Sequence, residues 1–266
     1  MKIPLRQLFI GLFLAVLLGL TGCYTNPVTG RQYAVMTSLN EEMQLGAQAF
    51  ADVKRAERVS TDPAANARVQ AVGRRIATAV GDQLPGAQWE FVVFESDELN
   101  AFALPGGKVG VYRGLLELAE SDDELATVIG HEIGHVVARH GGKRMTEATL
   151  VGLAGAAGAI AIDSKYGSEK RDLFLLAYGG ISTVGYVLPH SRADESEADL
   201  MGLQYAASAG YDPRAAITFW QKMAAKEGGR QMPAWLSTHP ASSKRIEDLR
   251  NAVPRYMTLY QANRRE

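Results

Sequence analysis

His135 stands four positions after His131 in the stretch Asp122 to His140, DDELATVIGHEIGHVVARH, and Glu132 follows the first of them. At about 100° per residue the two histidines share one face of a helix, while Leu125, Ile129, Ile133 and Val136 gather on roughly the opposite side. Two neutral imidazoles at this spacing can hold one Zn²⁺. Glu132, roughly 80° around from the pair, is then placed beside the metal as a base for a water molecule. Gly130 and Gly134 also lie four apart, and each costs a helix interior about 1 kcal/mol relative to Ala. The expected compensation is close approach of another element along that flank. Two histidines on a helix can also be incidental, so the rest of the chain has to decide.

Ser191 to Gly202, SRADESEADLMG, is the next chemically dense stretch. On a helix Glu195 and Asp199 share a face, and Glu197 points about 200° away from Glu195. A carboxylate from a second helix is what two histidines need to complete a three-ligand zinc site with the fourth position left for water, and Glu195 suits that role. Asp199, one turn on, is placed to accept a hydrogen bond from a ligand histidine and fix its tautomer. Read alone the stretch is an acidic helix start; downstream of the two-histidine helix it reads as a ligand source. His140, five after His135, reads as a last-turn histidine interacting with the helix C-terminus rather than as a ligand.

The elements that must position these groups have their own signals. Ser121 with Glu124 is a capping box that starts the histidine helix at about Asp122, and Ser38 with Glu41 opens another helix reaching about Val53. Asp62 and Pro63 begin a third, with Val69, Val72, Ile76 and Val80 on one stripe and a stop near Gly81. Trp89 to Phe94, Asn100 to Leu104 and Val109 to Tyr112 are β-prone, with a turn at Pro105-Gly106-Gly107, which predicts a small, mostly antiparallel sheet. Asn100, Ala101, Phe102 and Ala103 are a candidate edge that could pair with an extended peptide through backbone groups; an ordinary hairpin is the other reading. Two apolar stretches, Leu150 to Ile162 and Leu173 to Pro189, fall short of the roughly 18 to 20 clean apolar residues of a membrane span. They predict a Gly/Ala-rich helical hairpin over 150–189 acting as a lid, with insertion into a bilayer as the alternative. The fold class expected is α+β, mainly α, in one domain over 38–266.

The 266 residues are 47% apolar with a net charge of -1, which implies neither nucleic acid nor an acidic partner. Lys2 and Arg6 precede an apolar run from Leu8 to Leu20, a pattern that matches a secretory leader. The run closes in Leu20-Thr21-Gly22-Cys23, which resembles a bacterial lipobox; an uncleaved anchor is the alternative. That resemblance implies a signal peptide over 1–22, lipid on Cys23 and a turn-rich tether over 23–37. Cys23 is the single cysteine, so no intrachain disulfide is possible. Tyr24 in place of Asp after the cysteine leans towards an outer-membrane lipoprotein facing the periplasm.

His131-Glu132-Ile133-Gly134-His135, then Glu195-Ser196-Glu197-Ala198-Asp199, then Thr238-His239-Pro240 with Arg245 six beyond the histidine, together resemble the HtpX-like metallopeptidases, family 48. That family includes the CAAX prenyl protease and the mitochondrial Oma-type proteases. Asn26-Pro27-Val28-Thr29-Gly30 and Leu104-Pro105-Gly106-Gly107 extend the likeness over nearly all of the chain after Cys23. The resemblance implies a zincin-like domain with one Zn²⁺ on His131, His135 and Glu195, Glu132 as general base, Asp199 behind the ligands, and His239 and Arg245 near the site. The chain departs from the repeat-bearing periplasmic relatives, since it ends 27 residues after His239 with no repeat detectable. His239 is open to two roles: a donor to the developing oxyanion, or a fourth ligand that displaces the water. The function expected is a lipid-anchored zinc endopeptidase acting on unfolded or misassembled envelope proteins, with envelope assembly machinery as a possible partner. A lipid-anchored chaperone with structural zinc, and an integral membrane peptidase, are the alternatives.

Overall fold

A computed structural model describes residues 22–152, 191–226, 234–240 and 242–264. All but the last residue of the expected leader, and nearly all of the expected lid hairpin over 150–189, lie outside the described residues. The chain divides into two compact units, 1–38 with 141–187, and 39–140 with 188–266.

In the larger unit, helices α1 (Leu39–Ala56) and α2 (Pro63–Val80) form where the capping signals put them. Asp62 accepts from the Ala64 N–H at the start of α2, and Gly81, at φ 56°, ends it. The stripe Val69, Val72, Ile76 and Val80 is buried. Strands β3 (Glu90–Phe94), β4 (Ala101–Leu104) and β5 (Lys108–Tyr112) form a sheet in the order β3-β5-β4. β4 and β5 are antiparallel, joined through Gly106 and Gly107 at φ 87° and 82°, a left-handed conformation that suits glycine. β3 and β5 are parallel, because the chain crosses to the far side of the sheet as β4 before returning between its neighbours. Phe50, Phe94, Phe102 and Tyr112 pack together between α1 and the sheet.

Helix α3 (Arg113–Leu118) leads to α4 (Asp122–Val137), the histidine helix. Ser121 accepts from the Glu124 N–H, and the Glu124 carboxylate takes the Glu120 N–H and bonds to Thr218 and Lys222. Every residue of α4 from Glu124 to Val137 is buried, so the histidine face is enclosed as fully as the apolar one. The remaining helices are α5 (Arg192–Ser208), α6 (Ala215–Lys226), α7 (Ala234–Thr238) and α8 (Ser243–Asn263). α4 packs against α2, α5, α6 and β4. At its crossing with α5, a Cβ on Gly130 would stand 3.1 Å from the Gly202 carbonyl oxygen, and one on Gly134 would stand 3.1 Å from that of Ala198. Gly202 faces the backbone nitrogen of His131 at 3.0 Å in the same sense. The close approach expected from the two glycines is this contact, and it brings the acidic face of α5 to the histidines.

The smaller unit holds a hairpin of β1 (Cys23–Thr25) and β2 (Gln32–Ala34), so the segment read as a tether is structured. Its turn is built on buried Asn26, whose side-chain oxygen accepts from the N–H groups of Val28 and Thr29. The Met36 N–H bonds to Thr146 in the helical residues 141–152. No helix among the described residues is long and apolar enough to cross a membrane.

Candidate metal centre

The three expected ligands converge. His131 Nε2 lies 3.1 Å from His135 Nε2, and Glu195 oxygens lie 3.6 Å from the first and 3.3 Å from the second. Zinc bonds of about 2.0 to 2.2 Å in a tetrahedron place neighbouring donor atoms roughly 3.3 to 3.6 Å apart, and the 3.1 to 3.6 Å seen lies close to that spacing. Asp199, one turn along α5, stands 3.0 Å from His131 Nδ1 and so accepts that N–H, leaving Nε2 with its lone pair turned inward. His239 Nδ1 joins the group at 3.0 Å from Glu195 and 3.3 Å from His131 Nε2, so four buried donors face one point.

Charge supports a cation there. Glu132, Glu195 and Asp199 bring three negative charges, and Arg245 is the buried positive group among them, which leaves two uncompensated if the imidazoles are neutral. A buried charge of that size needs a counter-charge, and a divalent ion supplies it. Burial disfavours the ionised form of Glu195, yet in the metal-free protein hydrogen bonds with His135 and His239 and the charges of His131 and Arg245 hold its carboxyl well below the usual range. Asp199 is held low in the same way, against burial, by Arg245 and His131. Burial pushes His239 down, but Glu132 and Glu195 outweigh it and raise the imidazole above its ordinary value.

Arg245, near the start of α8, bonds to both carboxylates: Nη1 to Glu195 at 2.6 Å, Nε and Nη2 to the two oxygens of Asp199 at 2.6 and 2.7 Å. Its guanidinium carbon lies 3.5 Å from the ring centroid of Trp220. A side chain engaged on three nitrogens is a clamp on the Glu195 and Asp199 carboxylates, which leaves His239 the better placed donor for a reacting group.

Trp235, which the sequence did not single out, and His140, which it put at the helix C-terminus, also shape the site. Trp235 donates Nε1–H to Glu132 Oε1 at 2.7 Å and stacks on Trp220 with ring centroids 4.8 Å apart. Its position four before His239 was the available signal, since the His239 N–H bonds to the Trp235 carbonyl across one helical turn. His140 is not in the last turn of α4. Arg139 adopts a left-handed φ of 53°, the chain turns back, and His140 Nδ1 arrives 2.8 Å from His135 Nδ1, with its Nε2 3.0 Å from Glu197.

Of the other expected positions, Ala101, Phe102 and Ala103 lie in β4, an edge of the sheet that runs alongside α4, and Asn100 precedes it with its carbonyl bonded to the Tyr112 N–H. Cys23 is exposed in β1.

The chain is 42% identical over 176 residues to the mitochondrial metalloendopeptidase OMA1 of Arabidopsis thaliana, covering 66% of this chain and 34% of the relative. It is 34% identical to the mitochondrial metalloendopeptidase OMA1 of Bos taurus over 95% of this chain and 51% of the relative. It is 28% identical to the β-barrel assembly-enhancing protease of Escherichia coli over 85% of this chain and 47% of the relative. The chain thus spans about half or less of the length of these relatives. The model of peptidase family M48 matches residues 63–253, from the start of α2 through the histidine helix, the acidic helix and Arg245, and the chain belongs to that family.

Proposed function

We propose that the protein is a zinc-dependent endopeptidase of the cell envelope that hydrolyses unfolded or misassembled envelope proteins. The observation that carries this reading is the convergence of His131, His135 and Glu195 on one point with Glu132 beside them. Bound there, Zn²⁺ supplies Lewis acidity that polarises a peptide carbonyl and brings the pKa of water from about 15.7 towards 7. Glu132 takes the proton of the attacking water and returns it to the leaving amine. Trp235 holds one oxygen of that carboxylate, which fixes the orientation of the other. His239, whose Nε2 is 3.5 Å from Glu132, donates to the oxygen on which charge develops; loss of one such donor costs about 10² to 10³ in rate. The edge strand β4 aligns an extended substrate beside α4 through backbone hydrogen bonds. A cavity of about 440 Å³ bordered by Glu195, Arg192, Ser242 and Lys244 offers room for a substrate side chain.

Cleavage of an unfolded protein by the purified full chain tests the reading, with Glu132→Gln and a chelator as controls. Loss of cleavage in both is expected, and equal cleavage by the parent and Glu132→Gln overturns it. Contact with assembly machinery draws support from the likeness to a β-barrel assembly-enhancing protease, and envelope placement and lipid on Cys23 from the leader pattern. A Cys23→Ser protein is expected to move from the membrane to the soluble fraction.

His239 favours a second reading. Its nitrogen stands among the three donors, and four protein ligands would leave no place for water, giving a latent site. Under that reading His239→Ala raises activity or lowers zinc affinity; an unchanged activity and affinity removes His239 from both roles.

A further inference from the structure

The two ligand histidines of α4 are steadied differently. His131 Nδ1 meets a carboxylate directly, Asp199 at 3.0 Å, whereas His135 Nδ1 meets another imidazole, His140 Nδ1, at 2.8 Å. His140 is fully buried, and its Nε2 lies 3.0 Å from Glu197, whose side chain is 2% exposed. Two ring nitrogens at 2.8 Å share one proton, which can sit on either side. If His140 held it, the neutral His135 would carry its own proton on Nε2, pointing into the ligand cluster where a lone pair is needed. If His135 holds it, His140 accepts, and the proton of neutral His140 is left on Nε2, facing the Glu197 carboxylate.

We propose that His140 and Glu197 are positioning residues that set the tautomer of His135 through a two-step hydrogen-bond relay. His135 Nδ1–H donates to His140 Nδ1, and His140 Nε2–H donates to Glu197. The relay rests on the zinc-centre reading. Glu197 orients it as the nearer of two buried carboxylates at that nitrogen, with Asp194 at 3.7 Å, because a carboxylate accepts and does not donate. Glu195 meets His135 at Nε2 and Glu197 acts through His140 at Nδ1, so two carboxylates of one helix reach opposite edges of the same imidazole. Groups that fix a ligand imidazole from behind typically contribute about 10- to 100-fold to metal affinity.

Glu197→Gln is the informative change, since it keeps size and burial but adds an amide donor that can turn His140 around. His140→Asn retains an acceptor near the position of Nδ1, and His140→Leu retains none. Zinc affinity of the full chain is measured by competition with a chromophoric chelator using Zn²⁺ alone, with a melting curve of each metal-free variant as the check on folding. Glu197→Gln and His140→Leu are expected to weaken binding about 10- to 100-fold, and His140→Asn to recover most of the His140→Leu loss. Nitrogen-15 spectra of the zinc-loaded parent are expected to show His135 protonated at Nδ1 and His140 at Nε2. A Glu197→Gln affinity equal to the parent's, or a proton on His140 Nδ1, overturns the relay and leaves the zinc centre intact. A parent that binds no zinc overturns both. If His140→Leu fails to fold, Glu197→Gln and the spectra decide alone.

Discussion

Asp199 is the residue on which most of the site's order converges. Its two oxygens receive Arg245 Nε and Nη2, and one of them also receives His131 Nδ1–H. Asp199→Asn keeps the shape but puts a donor where an acceptor is needed, so zinc affinity is expected to fall about 10- to 100-fold in chelator competition. An affinity within twofold of the parent's would show that His131 is oriented by something else. Trp235→Phe preserves stacking on Trp220 but removes the donor to Glu132 Oε1, leaving a buried carboxylate one partner short. A charge-assisted bond of this kind contributes about 1.5 to 3 kcal/mol, so the urea unfolding midpoint should fall accordingly. His131, Glu132, His135, Glu195 and Asp199 were legible in the sequence because helical spacing alone decides which of them share a face. His140, Glu197 and Trp235 were not, because their roles depend on a turn at Arg139 and on a short helix brought in from a distant part of the chain. Within one element only the four-residue spacing of Trp235 and His239 pointed to any of them.

The α4–α5 crossing sets the geometry at the scale of elements. Gly202 lies against the backbone of His131 so closely that an added methyl group would press the two helices a few tenths of an ångström apart. Gly202→Ala is expected to cost about 1 to 3 kcal/mol in stability, as overpacking generally does, and to weaken zinc binding as well because Glu195 moves with α5. A stability loss with unchanged zinc affinity would mean that the ligands adjust independently of the crossing. Gly130 and Gly134 announced a close neighbour along α4, since glycine in a helix interior costs stability unless something uses the space. α2 was equally legible, from its cap, its stripe and its terminal glycine. The parallel pairing of β3 with β5 was not, because strands near one another in sequence read as hairpins until the crossover that threads between them is known.

Over the whole molecule, metal-free stability should depend on pH from both sides. Glu195 and Asp199 have lowered folded-state pKa values. Their contribution is present above the ordinary carboxylate range of about 4 and is lost as pH falls through the lower folded values. His239 has a raised value, so its contribution is complete below about 6.5 and is lost as pH rises through the folded pKa. Urea midpoints of the chelator-treated protein across pH 3 to 9, chosen to span roughly these values, are expected to pass through a maximum between the two losses. A profile flat on the acid side would show that these carboxylates are not paired in the metal-free fold.

The glycine crossing has a mechanical consequence. Two of the proposed ligands belong to one helix and the third to another, so the proposed zinc centre exists only while those helices touch, and at Gly130, Gly134 and Gly202 that contact runs close to backbone. Under the proposed function, chemistry and tertiary contact are therefore one event: a force that parts these two helices disperses the three donor groups before the rest of the fold is lost.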